Sequence, residues 1–193
     1  MVQLQPVYLH KEFKPIVQAV SAKLLPQLKA YDDKITAVHY QYGHPLEIIK
    51  TLGQYDQGGT SKFNKYPLVA FFLDMPMDRG ADVGIYGEAT VHMAIIRSCK
   101  DPNHTAEQRD VNNFDPVLTP IYMELMRQIG NRGDIFQIPS ATRIRHKVTY
   151  RYYWGKQGLF GNETNIFNDW VDCIEIENLK LKINENYCPK PAV

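Results

Sequence analysis

The chain has little cysteine, almost no net charge and no long hydrophobic run, and each shortage excludes something. Three cysteines (Cys99, Cys173, Cys188) are odd in number and far apart in 193 residues. That usage fits free thiols in a reducing compartment and not a disulfide framework. Twenty-two Lys and Arg against 21 Asp and Glu leave a formal charge of +1. So even a balance excludes a uniformly basic nucleic-acid coat and an acidic solvating tail. No stretch approaches the roughly 18 apolar residues of a membrane-spanning helix. The start, MVQLQPVYLHKEFKP, lacks the basic segment, apolar stretch and small-residue cleavage site of a secretory signal. No Walker, GxGxxG or GxSxG pattern occurs, no Cys-x-x-Cys, and no histidine pair at i, i+4.

What remains describes a soluble globular protein with a real core: 44% of the residues are apolar. The length suits one domain over 1–193, with an N-terminal helix or arm (1–30), a core (31–184) and a proline-rich tail (185–193). Phe13, Ile16, Val17, Val20, Leu24 and Leu28 recur at three- and four-residue steps and predict a helix from about Lys11 to Ala30, ended or kinked by Pro26. Lys34 to Tyr42 reads as a strand stopping at Gly43. A short helix follows His44-Pro45, with Leu46, Ile49 and Leu52 toward the core. Asp56 to Lys65 is a loop by composition. Leu68 to Leu73 is a continuous apolar run, as expected of a strand buried on both faces.

Val83, Ile85, Ala89, Val91, Met93 and Ile95 sit at odd positions with Glu88, Thr90 and His92 between them. This period of two predicts a long strand, with a bulge or bend at Gly87. Thr105 to Asp110 reads as a short helical turn. Asp115 is a good N-cap and Pro116 a good first residue for a helix ending at Gly130. Thr142 to Trp154 alternates Ile144, His146, Val148, Tyr150, Tyr152 and Trp154 with Arg143, Arg145, Lys147, Thr149 and Arg151. Beyond the Gly155–Asn165 loop, Trp170 to Asn184 predicts a further strand pair. Its apolar parity switches between Ile176 and Leu179, so a bulge or turn must lie near Glu177-Asn178. The sum is an α+β fold, a mostly antiparallel sheet of four to six strands with helices packed on one face.

Sites of chemistry are sparse. His39 and His92 fall on different strands and read as hydrogen-bonded sheet residues rather than a shared metal site. Gly58-Gly59-Thr60-Ser61-Lys62 has phosphate-loop residue types without the spacing or the flanking strand and helix. A hydrolase built on Asp169 and Asp172 lacks a nucleophile–base or metal set. The expectation is a protein with no catalytic residues, no metal, no cofactor and no small-molecule substrate.

Charge is strongly segregated. Arg143, Arg145, Lys147 and Arg151 place four cations on one strand face, with no acid between Thr142 and Gly155. Glu163, Asp169, Asp172, Glu175 and Glu177 follow, with no base among them. Like charges along a sheet face repel unless neutralised. Three partners would do so: the acidic strand of the same subunit, the acidic patch of an identical subunit in a ring, or a phosphate backbone. The last makes a small nucleic-acid-binding module, reading through Arg143 to Arg151, the alternative function. Twelve tyrosines favour protein–protein surfaces.

The order of motifs resembles a known family. Tyr42 to Leu52 pairs a Tyr-Gly element with a Leu-Glu-Ile-Ile helix. Lys65-Tyr66-Pro67-Leu68-Val69-Ala70 leads into the buried strand. A polar loop with Arg109 precedes Phe114-Asp115-Pro116-Val117-Leu118, and His146 to Gly155 ends in Tyr-Tyr-Trp-Gly. Asn165 to Ile183 closes the series. Together, over roughly Lys34 to Asn184, they resemble the tail-terminator-like and neck proteins that join head to tail in tailed bacteriophages, the crAss-like phage ring proteins in particular. The resemblance implies a tail-terminator-like α+β subunit in a closed ring of six or twelve copies. Such a virion component, assembled in the host cytoplasm, docks on a portal or adaptor ring and on tail or neck proteins, extends the DNA channel and has no membrane partner. In such a ring the segregated charges Arg143, Arg145, Lys147, Arg151, Asp169, Asp172, Glu175 and Glu177 are expected to meet at subunit interfaces, and Lys62 and Lys65 to lie near DNA passing through the channel.

Overall fold

The computed structural model describes residues 8–57, 65–73, 76–79, 87–99, 101, 103–137, 144–152 and 170–184. In chain order these give α1 (Leu9–Tyr31), β1 (His39–Gly43), α2 (Pro45–Gln57), β2 (Leu68–Phe72), β3 (Met77–Arg79), β4 (Gly87–Ser98), α3 (Ala106–Arg109), a π-helical stretch (Asp110–Leu118), α4 (Thr119–Gly130), β5 (Phe136–Gln137), β6 (Lys147–Tyr152) and β7 (Val171–Ile183).

One sheet carries all seven strands in the order β1-β2-β4-β7-β5, with β3 on β4 and β6 on β7. Only β1 and β2 run parallel; the other ladders are antiparallel. The fold is α+β, as expected. The helices, however, occupy both faces. On one face Val69, Phe71, Val91, Met93, Ile95, Ile174 and Ile176 pack against Phe13, Ile16, Val20 and Leu28 of α1 and Ile121, Leu125 and Ile129 of α4. On the other, Leu68, Ala70, Phe72, Ala94, Ile96 and Cys173 pack with Ile48 and Leu52 of α2. All five residues of β2 are buried, as its unbroken apolar run predicts. In α2 the inward residues are Ile48 and Leu52, while Leu46 is exposed; the Ile49 side chain lies outside what is described.

Pro26 does not end α1, which continues five residues past it. A helix-interior proline costs about 3 kcal/mol. Burying Leu24 and Leu28 on either side returns about 1.5–3 kcal/mol each. Asp115 and Pro116 do not start a helix. The start is ten residues earlier, where the Thr105 side chain accepts from the Gln108 N–H and the Gln108 side chain accepts from the Thr105 N–H, a capping box. Pro116 then falls inside the π-helical stretch. In the same stretch the Asn112 carbonyl accepts from Tyr31 Oη (2.9 Å) and Arg97 Nη1 (3.1 Å), which ties it to α1 and β4.

The predicted final strand pair is one strand, β7. The parity change is a bulge: Val91 faces Leu179 and Met93 faces Ile176, so His92 opposes both Glu177 and Asn178. Asn178 takes φ 55°, a left-handed conformation that asparagine tolerates better than most residues. The bulge lets Ile174 and Ile176 share the α1 face with Leu179 and Leu181. Gly87 is the first residue of β4; Val83, Ile85 and the expected Gly155–Asn165 loop lie outside the described residues.

Candidate functional site

The bulge organises a charged face on the side of the sheet that bears α2. Alternation along β4, β6 and β7 brings His92, Lys147, Thr149, Arg151, Glu175 and Glu177 to that side, because β6 and β7 pair in register from Lys147↔Glu177 to Tyr152↔Asp172. Lys147 and Arg151 of the basic run and Glu175 and Glu177 of the acidic run therefore neutralise each other within one chain. Lys147 Nζ donates to Glu177 Oε2 at 2.6 Å. The Arg151 guanidinium contacts Glu175 Oε2 and lies 3.8 Å from Glu177 Oε1. Glu175 Oε1 is 3.2 Å from His92 Nε2, and the His92 ring meets Phe72 edge-on at 4.9 Å. The Glu175 side chain is 1% exposed. Burial alone would raise its carboxyl, but the His92 hydrogen bond and the Arg151 charge outweigh that and hold it below its ordinary value.

These contacts correct the expectation of a charged subunit interface. Lys147, Arg151, Glu175 and Glu177 are engaged inside the subunit, and a carboxylate as buried as Glu175 cannot meet a neighbour. Asp172 is also buried, on the α1 face, where it accepts from Arg109 Nη1 (2.7 Å) and Asn113 Nδ2. Arg145 lies exposed just before β6, with no ion pair to a described residue. It is the unpaired cation of the basic run among the described residues, which leaves little of the face that a nucleic-acid module would use. Lys65 is buried, its ammonium donating to the Leu52 carbonyl at 3.0 Å and lying 5.4 Å from the Tyr66 ring centroid. That burial differs from the exposed, DNA-proximal lysine expected from the sequence. Arg143, Asp169 and Lys62 fall outside the described residues.

One histidine and two carboxylates in reach of each other invite a test as a metal centre. The ligand atoms of His92, Glu175 and Glu177 lie within 4.8 Å of one another. Both carboxylates already hold cations, and those two positive charges would have to leave before a divalent ion entered. The set is a balanced ion-pair network, not a built cation site. His39 aligns with Leu68 and through it with Ile96, whereas His92 aligns with Phe72. The two histidines are thus two strands and four register steps apart, as their separate strands predict.

A second polar cluster escaped the sequence reading. Arg97 Nη2 donates to Asp32 Oδ2 at 2.9 Å, with its guanidinium 5.3 Å from the Tyr31 ring. Arg109 is 1% exposed and joins the His104 carbonyl and Cys99 Sγ besides Asp172. The cluster ties α1, the π-helical stretch and the ends of β4 and β7 together. The Thr105-x-x-Gln108 spacing of a capping box is the signal that could have placed Arg109 at the end of a helical turn.

Exposed aromatics mark the two ends of the sheet. At the β1 end Tyr42 is 47% exposed, with Leu46 four positions on and Leu73 at the end of the paired strand β2 also exposed; at the β6 end Tyr150 is 49% and Tyr152 37% exposed. Tyr42 is held against His10, ring centroids 4.4 Å apart, and Tyr150 and Tyr152 against Phe114 at 5.1 and 5.3 Å.

No protein-family model matches this chain, and no curated protein is significantly similar to it. No helix among the described residues is long and apolar enough to cross a membrane.

Proposed function

We propose that the chain is a structural ring subunit of a bacteriophage neck or tail junction, joining the portal or adaptor ring to the tail and extending the channel through which DNA passes. The resemblance of its motif order supports this reading. Most of those motifs build one layered unit: Tyr42 to Leu52 supplies the end of β1 and most of α2, Lys65 to Ala70 enters β2, Phe114 to Leu118 packs beside β6, and Val171 to Ile183 forms β7 between β4 and β6.

The observation that carries the reading is the pair of unlike exposed patches at opposite ends of one sheet. A closed ring needs a heterologous interface, two different surfaces on each subunit. Here the surfaces are the Tyr42 end and the Tyr150–Tyr152 end. They replace the charged patches that the sequence led us to expect.

Sedimentation of the purified chain, with imaging of native particles at subunit resolution, tests the reading. The expected result is six or twelve copies in a ring between portal and tail. A strict monomer that never engages a portal or tail complex would overturn it.

A further inference from the structure

Resting on the ring reading, we infer that neighbouring copies join strand to strand, β1 of one subunit pairing antiparallel with β6 of the next, so that a single sheet continues from copy to copy. The main chain carries the argument. His39 N–H donates inward to the Pro67 carbonyl, and the Gly43 carbonyl accepts inward from Leu73 N–H. Lateral direction alternates along a strand, so the N–H and C=O groups of Tyr40 and Tyr42 point outward. At the other end, Cys99 N–H donates to the Trp170 carbonyl across the β4–β7 ladder. Alternation then directs Cys173, Glu175 and Glu177 toward β6, and Lys147, Thr149 and Arg151 back toward β7. Val148, Tyr150 and Tyr152 are left with outward donors and acceptors. Among the described residues β1 pairs only with β2, and β6 only with β7.

Open edges are normally blunted by proline, lysine or inward charge. Neither outward-pointing set contains one: Tyr40 and Tyr42 on one side, Val148, Tyr150 and Tyr152 on the other. The charges of β6 lie on its alternate residues and are held by Glu175 and Glu177.

A second copy is the occupant that fits both edges at once. β1 has five residues and β6 six. β1 runs with β2 and β6 runs with β4, and β2 and β4 are antiparallel. A copy rotated about an axis along the strands, with α1 on the same side, therefore presents β1 antiparallel to β6. Tyr40 bonds the His10 carbonyl of α1 at 2.6 Å, and Tyr150 and Tyr152 pack on Phe114 in the α1-side core. The tyrosines of both edges consequently share one face, and Tyr42 would stand opposite Tyr150 and Tyr40 opposite Tyr152. Aromatic cross-strand pairs of this kind stabilise a ladder.

Two variants test the join. Tyr42→Pro removes the outward N–H together with the ring that lies on His10, and leaves the inward main-chain bonds of Gln41 and Gly43 in place, which an edge strand tolerates without unfolding. Its circular dichroism should match the parent while self-association weakens about tenfold or more, the loss expected from one main-chain hydrogen bond and the proline ring's clash with the opposing strand. Tyr42→Cys with Tyr150→Cys, in a chain carrying Cys188→Ser, should cross-link under oxidation into a covalent series ending at the ring mass, and neither single variant should extend it. Rings of full mass without the 42–150 cross-link would overturn the edge join and leave the ring reading standing. Association of Tyr42→Pro equal to the parent's would also overturn the join. A chain that is monomeric both alone and with portal or tail complexes would overturn both.

Discussion

The pairing of Arg151 with Glu175 makes a measurable claim about where the segregated charge acts. Consider a double-mutant cycle of Arg151→Met and Glu175→Gln. Two unit charges about 4 Å apart interact with about 4 kcal/mol at an effective dielectric of 20. Arg151 is 39% exposed, which moves the pair toward the 0.2–1 kcal/mol typical of surface pairs. The coupling expected between these limits is about 2 kcal/mol. In a chain of this size each kcal/mol shifts the melting temperature by about 2–4 °C. Arg151→Met should therefore melt about 4–8 °C below the parent, and the double variant should recover most of that. The assay is urea unfolding of all four chains at a concentration where sedimentation shows monomers. An acid arm adds a sign. In the parent, the depressed Glu175 carboxyl stabilises the fold above its unfolded value near pH 4.5, and that contribution fades as pH falls through the lower folded value. In Arg151→Met the His92 hydrogen bond still opposes burial but the cation's share of the lowering is gone, so the carboxyl moves upward from its parent value and the acid-sensitive contribution shrinks. A coupling within about 0.3 kcal/mol of zero, or one seen only when chains associate, would refute the intrasubunit pairing.

Three further outcomes follow from the same geometry. Asn178→Val forces a β-branched residue to φ 55° and should cost about 1–2 kcal/mol in urea unfolding, whereas Asn178→Gly should be neutral or better. Asp172→Asn strips the buried Arg109 of its anion and should cost about 3–5 kcal/mol, with Arg109→Met added to it recovering part of the loss; calorimetry of the three variants decides. Oligomer mass should stay constant from about 0.05 to 0.5 M salt, since uncharged edges are not screened; dissociation across that range would restore a charged interface.

The sequence disclosed what alternation and parity can disclose. The apolar run of Leu68 to Leu73 implied burial on both faces, which holds through Phe72 and fails at the exposed Leu73, and the switch between Ile176 and Leu179 pointed to an irregularity near Glu177-Asn178, where the bulge lies. Helix signals were less decisive, because proline and capping compete with packing. Pro26 reads as a stop and Pro116 as a start, yet both lie inside helical structure whose apolar side is buried on the sheet. The charge runs were visible, but not their partner. Nothing in the residues of β6 and β7 distinguishes an acid strand of the same subunit from that of a neighbour, because either supplies the same complementary ladder. Arg109 and Asp172 stand 63 positions apart and meet only because α3 folds over the end of β7.

With the charges internal, their function is register. Lys147 lies opposite Glu177, and Arg151 reaches Glu175 and Glu177. A one-residue slip of β6 would send its cations to the α1 face, and a two-residue slip in one direction would put Lys147 opposite Leu179. The correct register is also the one that leaves Val148, Tyr150 and Tyr152 with their main-chain groups outward. The ladder that neutralises the charge thus sets the chemistry of the edge, and a building block near zero net charge is left with tyrosines and free backbone to offer its neighbour. Edge pairing is self-limiting only if the copies close on themselves, since an open series would always leave one β1 and one β6 exposed. A ring removes both.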